Sequence, residues 1–268
     1  MSGGSLPKRL RPERPSRAVL GSERDLRVLS ELAWAGMLTT GQVERLCFPS
    51  RRRAQRRLRA LLDGGLVQAR LQAEAMHRDN LWTLTRHGIE FLTDRGKLSA
   101  SLAPLRPNVR SQKLHHALAV RDVATSLLVA RDRGLLEVRD LRLDSELVSE
   151  PTMIVAGLVP DGLAEIRLDG QALVLFWEVA CLAQPFAQVK AKLLLYERAC
   201  ASGSSFFRQD GLAILIVAES RGRLENAERF GTGLVIAGRL RFLCLEDALD
   251  PAKVAAVLGP RAWFDPIA

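Results

Sequence analysis

Asp161 and Glu178 are the pair of residues in this chain best suited to chemistry, and a turn between them explains why. Asp169-Gly170 is a type I′ hairpin dipeptide, because both central positions of that turn need positive φ. With those two residues as the turn, Leu168 pairs with Gln171, and the same register sets Asp161 opposite Glu178. Directly opposed side chains have Cβ atoms about 4.5–5.5 Å apart. Two carboxylates at that distance repel unless a cation, a hydrogen-bond network or a shared proton relieves them. On the helix that follows, Val189, Lys192, Leu193 and Tyr196 share one face, so Lys192 points toward the sheet. Lys190 falls on a different face, beside Leu194 and Glu197. For Asp161 there is also a plainer role, in turn chemistry beside Gly162.

A second chemistry is concentrated in residues 50–65. Ser50 is suited to cap a helix and Gly64-Gly65 to end it. Between them Ala54, Leu58, Leu61 and Leu62 form one apolar stripe. Arg51, Arg52, Arg53, Arg56, Arg57 and Arg59 cover the rest, with Gln55 among them. A helix that docks by a narrow stripe and presents guanidinium groups elsewhere suits a phosphate-lined groove, and Gln can read adenine bidentately. A basic helix that is merely solvated is the plain alternative.

The charge distribution supports a polyanion partner. Of the net +9, residues 1–105 carry 19 Lys and Arg against 10 Asp and Glu, whereas residues 106–268 carry 20 of each. A localised basic field is the footprint of nucleic acid. Cys47, Cys181, Cys200 and Cys244 are scattered without CxxC spacing, which points to reduced thiols rather than zinc. No apolar run approaches the roughly 20 residues of a membrane span, and the N-terminus lacks an apolar signal core. The expected compartment is cytoplasmic.

The elements that must position these groups follow in order. Residues 1–20 are expected to be a flexible basic arm. Ser22 caps a helix to Ala35, and a threonine-capped helix runs to Cys47. The arginine helix follows, which is the order of a helix-turn-helix. Leu66–Leu71 and Leu81–Thr85 read as a hairpin, a wing, and Thr85 caps a further helix stopped by Gly96. Thr40, Arg70, His77 and Arg78 join the arginines as DNA-facing candidates. Residues 99–110, with Pro104 and Pro107, form a linker. Gln112–Arg133 is a long helix carrying His115-His116, which read as packing or interface histidines. Strands are expected over Leu135–Leu147, Gly157–Leu168, Ala172–Ala180, Gly211–Glu219 and Leu240–Leu245. Helices are expected over Gln184–Ala201, Leu224–Phe230 and Pro251–Leu258. Ala172–Ala180 is apolar on both faces and must be central. The fold class is α+β: a winged helix over 21–98, then a mixed-sheet α/β domain over 111–268.

Three resemblances sharpen this. The order LLDGGLV…LWTLTRHGIEFL resembles the winged helices of bacterial transcription and plasmid-replication regulators. Pro160-Asp161-Gly162 followed by Phe176-Trp177-Glu178-Val179-Ala180 resembles the core of PD-(D/E)XK nucleases. There the acids hold a divalent metal, and a Lys two residues after the Glu assists the attacking water. Ala180 stands in that place, and Lys192 is the available replacement. Over residues 22–200 the chain is similar to the replication-relaxation family of plasmid and mobile-element proteins. That likeness is carried by His115–Val120, Asp161, Glu178, Lys192 and Tyr196. In that family an Asp generally follows the Glu by two, so Ala180 departs here as well. The resemblance implies DNA binding in replication, mobilisation or transcription control. Together these features describe a double-stranded DNA-binding regulator without a cofactor. Its C-terminal nuclease-like domain is expected to be inactive and to serve a homodimer or a replication or relaxase partner. The alternative is a nuclease or nickase that uses Mg²⁺ at Asp161 and Glu178 with Lys192. An adaptor that docks such a partner through its sheet is a third reading.

Overall fold

The computed structural model describes residues 21–70, 79–98, 111–202 and 211–259. The arm, the linker, and the wing residues His77 and Arg78 lie outside the described residues. The chain divides into two compact units, Met1–Ser111 and Gln112–Ala268.

In the first unit α1 (Glu23–Ala35) is followed by β1 (Leu38–Thr39), α2 (Thr40–Cys47) and α3 (Arg51–Asp63). Then come β2 (Val67–Arg70), β3 (Leu81–Leu84) and α4 (Arg86–Thr93). The local reasons are those in the sequence. Ser22 and Asp25 close a capping box on α1, and Thr39 and Gln42 close one on α2. Thr85 Oγ1 accepts from Gly88 N–H at the start of α4. Ser50 behaves otherwise: its hydroxyl makes no cap bond, and its carbonyl accepts from Arg53 and Ala54 instead. The sheet order is β1-β3-β2, antiparallel throughout, so the unforeseen β1 becomes an edge strand paired with β3. Ala54, Leu58, Leu61 and Leu62 are buried as the stripe required. Each buried leucine contributes about 1.5–3 kcal/mol toward holding α3 in place.

The second unit opens with α5 (Ser111–Asp132) and β4 (Glu137–Leu143). Residues 144–147, expected as strand, instead form α6 (Asp144–Leu147), and the unassigned stretch after them holds α7 (Pro151–Ala156). Pro151 sits in the first turn of α7, where its missing N–H costs nothing, and Gly157 ends it at φ 61. β5 (Gly162–Leu168), β6 (Gln171–Ala180), α8 (Phe186–Ala201) and β7 (Leu212–Ala218) follow. The described chain closes with α9 (Arg221–Gly231), β8 (Leu240–Cys244), α10 (Leu245–Ala248) and α11 (Pro251–Val257). The sheet order is β4-β5-β6-β7-β8. The first three strands are antiparallel and the last three parallel, with β6 in the middle. α8 and α9 are the crossovers between the parallel strands. Phe176, Ile214 and Ile216 pack with Leu193 and Tyr196 of α8.

The β5–β6 register is the one the turn dipeptide implied. Leu168 pairs with Gln171 and Gly162 with Trp177, around Asp169 (φ 50) and Gly170 (φ 83). Gly162 is required by close approach, since a Cβ there would fall inside the Trp177 indole.

Candidate DNA-binding helix and buried acid–base cluster

On α3 the arginines separate into two groups. Arg57 grips Asp25 of α1 through Nε and Nη2, and Asp25 is completely buried. Arg59 bonds Asp63 one turn on, at 3.0 Å. Arg51 pairs with Asp79, whose carboxylate also accepts from Gly41 N–H at 3.0 Å. Arg52, Arg53, Gln55 and Arg56 are exposed. The three arginines have no ion-pair partner among the described residues and lie opposite the buried stripe. Arg70 is exposed on β2. Thr40 is buried and accepts from Trp82 Nε1 at 2.9 Å, so it braces α2 against β3 and is not a DNA-facing group. Arg57 likewise ties α3 to α1 through Asp25.

Around Asp25 the direction of titration is set by competition. Burial pushes its carboxyl up, but the Arg57 guanidinium, the Ser22 cap and the Gly21 N–H outweigh burial and leave it below the usual carboxylate value. Arg57 is held above its own usual value by the same contact.

In the second unit Asp161, Glu178 and Lys192 meet. Lys192 Nζ lies 3.2 Å from Asp161 Oδ1 and also pairs with Glu178 Oε2. Asp161 Oδ2 accepts from Val179 N–H at 2.7 Å and lies 3.1 Å from His116 Nε2. Tyr196 donates to Glu178 Oε1 at 2.6 Å. Lys190 instead sits over Phe186 and Phe230. Burial pushes the Glu178 carboxyl up to about 8, with Asp161 adding to the rise and Lys192 opposing it. Burial acts the same way on Asp161, yet the His116 hydrogen bond and the Lys192 charge hold it at about 2. Burial lowers His116, but Asp161 more than offsets this and leaves the imidazole above its usual value. Lys192 stays protonated because two carboxyl groups face it. Asp161 therefore carries the cluster's negative charge, and Glu178 resists it.

The profile of the replication-relaxation family matches residues 29–214, most of the first unit and the second as far as β7, with the arginine helix and the buried cluster inside the match. The chain belongs to the replication-relaxation family. No curated protein matches it. Among solved structures, the restriction endonuclease FokI aligns at 12% identity with a TM-score of 0.30. The alignment covers 93% of this chain and 48% of that one, so the chain spans about half the length of that structure.

For this member of the replication-relaxation family, the fit of a divalent cation at Asp161 and Glu178 can be tested on the donor set. All four carboxylate oxygens already have partners: Lys192 on one oxygen of each, His116 and Val179 N–H on the third, and Tyr196 on the fourth. The ammonium sits where a bridging cation would sit, and like charges exclude one another. The residues do not fit Mg²⁺ in this arrangement.

His115 and His116, expected as packing or interface histidines, instead make polar contacts to acids. Adjacent helical residues point apart, but here both find acids: His116 meets Asp161, and His115 Nε2 lies 3.0 Å from Glu219 Oε1. Cys181 and Glu219 were missed as well. Each follows the last residue of a parallel strand, β6 and β7, and the carboxyl ends of parallel strands are where sites form in such sheets. Among the described residues no helix is long and apolar enough to cross a membrane.

Proposed function

We propose that this protein is a double-stranded DNA-binding regulator of transcription or of plasmid and mobile-element replication. In this reading residues 21–98 act as a winged helix. The order α1, β1, α2, α3, β2, β3 supports it, with α3 as the helix that enters the major groove. The observation that carries the reading is the outward set Arg52, Arg53 and Arg56 on a helix whose opposite face is anchored in the core. Gln55 beside them is the candidate base-reading side chain, and Arg70 a phosphate contact on the wing strand. The family's description, replication-relaxation, is consistent with this reading. The C-terminal unit serves to dimerise the protein or to dock a replication or relaxase protein.

The test is selection of bound duplexes from a random pool by the full chain. A palindromic consensus establishes sequence-specific recognition by a two-fold dimer, since half-site symmetry mirrors protein symmetry. Recovery of no enriched sequence, with no binding at low salt, overturns the reading.

Metal-dependent cleavage is the weaker reading. The juxtaposition of Asp161 and Glu178 favours it, and the ammonium of Lys192 between them opposes it.

A further inference from the structure

The sequence offers no spaced metal motif, yet the fold assembles a mixed donor set from three distant segments. His115 comes from α5, Cys181 follows β6, and Glu219 follows β7. One ring nitrogen of His115, the Cys181 Sγ and one Glu219 carboxylate oxygen all lie within 4.8 Å of one another. Strand pairing brings the last two together: Ala180 and Ala218 are partners in the β6–β7 ladder, and Glu219 N–H donates to Ala180 O at 3.2 Å.

The second oxygen of Glu219 accepts from Leu182 N–H at 2.6 Å, which fixes the carboxylate's orientation and leaves Oε1 directed at His115. A ligand carboxylate held by an outer hydrogen bond is the usual arrangement at protein metal centres. Cys181 is 3% exposed, whereas the His115 and Glu219 side chains are 18% and 9% exposed, so the set is closed on the sulfur side and open on the other.

We propose that His115, Cys181 and Glu219 form a three-ligand site for a borderline divalent ion, Zn²⁺ or a metal of similar preference, with a fourth tetrahedral position open to solvent. Thiolate, imidazole and carboxylate together select such ions over Mg²⁺ and Ca²⁺, which require oxygen donors. Tetrahedral ligation at about 2.0–2.3 Å sets donor atoms roughly 3.3–3.8 Å apart, so the ion draws in the wider pairs and replaces the 3.0 Å hydrogen bond between His115 and Glu219. The set shares no ligand with the neighbouring Asp161–Glu178 pair and stands whether or not the protein binds DNA.

The full-length protein is titrated with Zn²⁺ alone and, in parallel, with Co²⁺, whose thiolate charge-transfer absorption reports sulfur ligation. One equivalent of Zn²⁺ is expected to bind, with a Co²⁺ thiolate band. Cys181→Ser abolishes that band, whereas Cys47→Ser, Cys200→Ser and Cys244→Ser retain it. His115→Gln and Glu219→Gln weaken Zn²⁺ by more than the roughly 10–100-fold that loss of an outer-shell partner brings. Far-UV circular dichroism verifies that each variant is folded. If the wild type binds no stoichiometric Zn²⁺, or if the Co²⁺ band survives Cys181→Ser in a folded protein, the site does not exist.

Discussion

Arg57 forks its guanidinium around the carboxylate of Asp25, two residues 32 positions apart that join α3 to the start of α1. The same carboxylate closes the α1 capping box and receives the Gly21 N–H. One buried anion therefore aligns the basic helix with the helix behind it. Asp25→Asn keeps the shape and removes the charge, and breaking such a pair costs about 3–5 kcal/mol. Thermal melts should show that loss, and Arg57→Gln should match it in direction.

The pH dependence of the same pair has a definite sign. The folded Asp25 carboxyl lies below its usual value, so its stabilisation is complete above the unfolded value of about 3.9. It is lost as pH falls through the lower folded value. Acid titration of the wild type should therefore show a stability decline at the bottom of the carboxylate range, and Asp25→Asn should flatten it. An unchanged acid limb would contradict the assignment.

Thr40 separates fold from function. Its hydroxyl accepts the buried Trp82 indole N–H, so Thr40→Val orphans a donor and should cost about 1–3 kcal/mol. The salt slope of DNA binding should not move, because no phosphate contact is lost.

The buried cluster predicts an asymmetry between its members. Lys192→Met leaves Asp161 charged without its ammonium and should destabilise by about 3–5 kcal/mol. Glu178→Gln removes a group that already resists ionisation, and should cost much less in the same denaturant titration. Equal losses would mean that Glu178 is ionised at neutral pH. Supercoiled and linear DNA incubated with Mg²⁺ or Mn²⁺ should remain uncut. Cleavage abolished by Asp161→Ala would reinstate the nuclease reading.

What could be read from the sequence was local or set by a turn. The caps at Ser22, Thr39 and Thr85 are side chains acting within three residues of themselves. Asp169-Gly170 carried the β5–β6 register as far as Gly162 because a two-residue turn leaves no freedom to slip. Lys192 reached the acids because helical spacing settles which face it occupies. The unread part was long-range or ambiguous. Periodicity states that Arg57 flanks a stripe, but not that Asp25 waits beside it. Residues 148–156 carry no expected element, although Pro151 and Gly157 are a start and a stop for a short helix. His115 and His116 looked inert because their acids lie 104 and 45 positions away.

The central claim is that Arg52 and Arg56 meet the phosphates of duplex DNA while Arg57 does not. Fluorescence anisotropy of a labelled duplex, measured as a function of salt, tests it directly. Each phosphate contact removed should lower the slope of log K against log salt by about one unit. Arg52→Gln and Arg56→Gln should each do so, while a folded Arg57→Gln leaves the slope at the wild-type value. Wild-type slopes in both Arg52→Gln and Arg56→Gln would contradict the account.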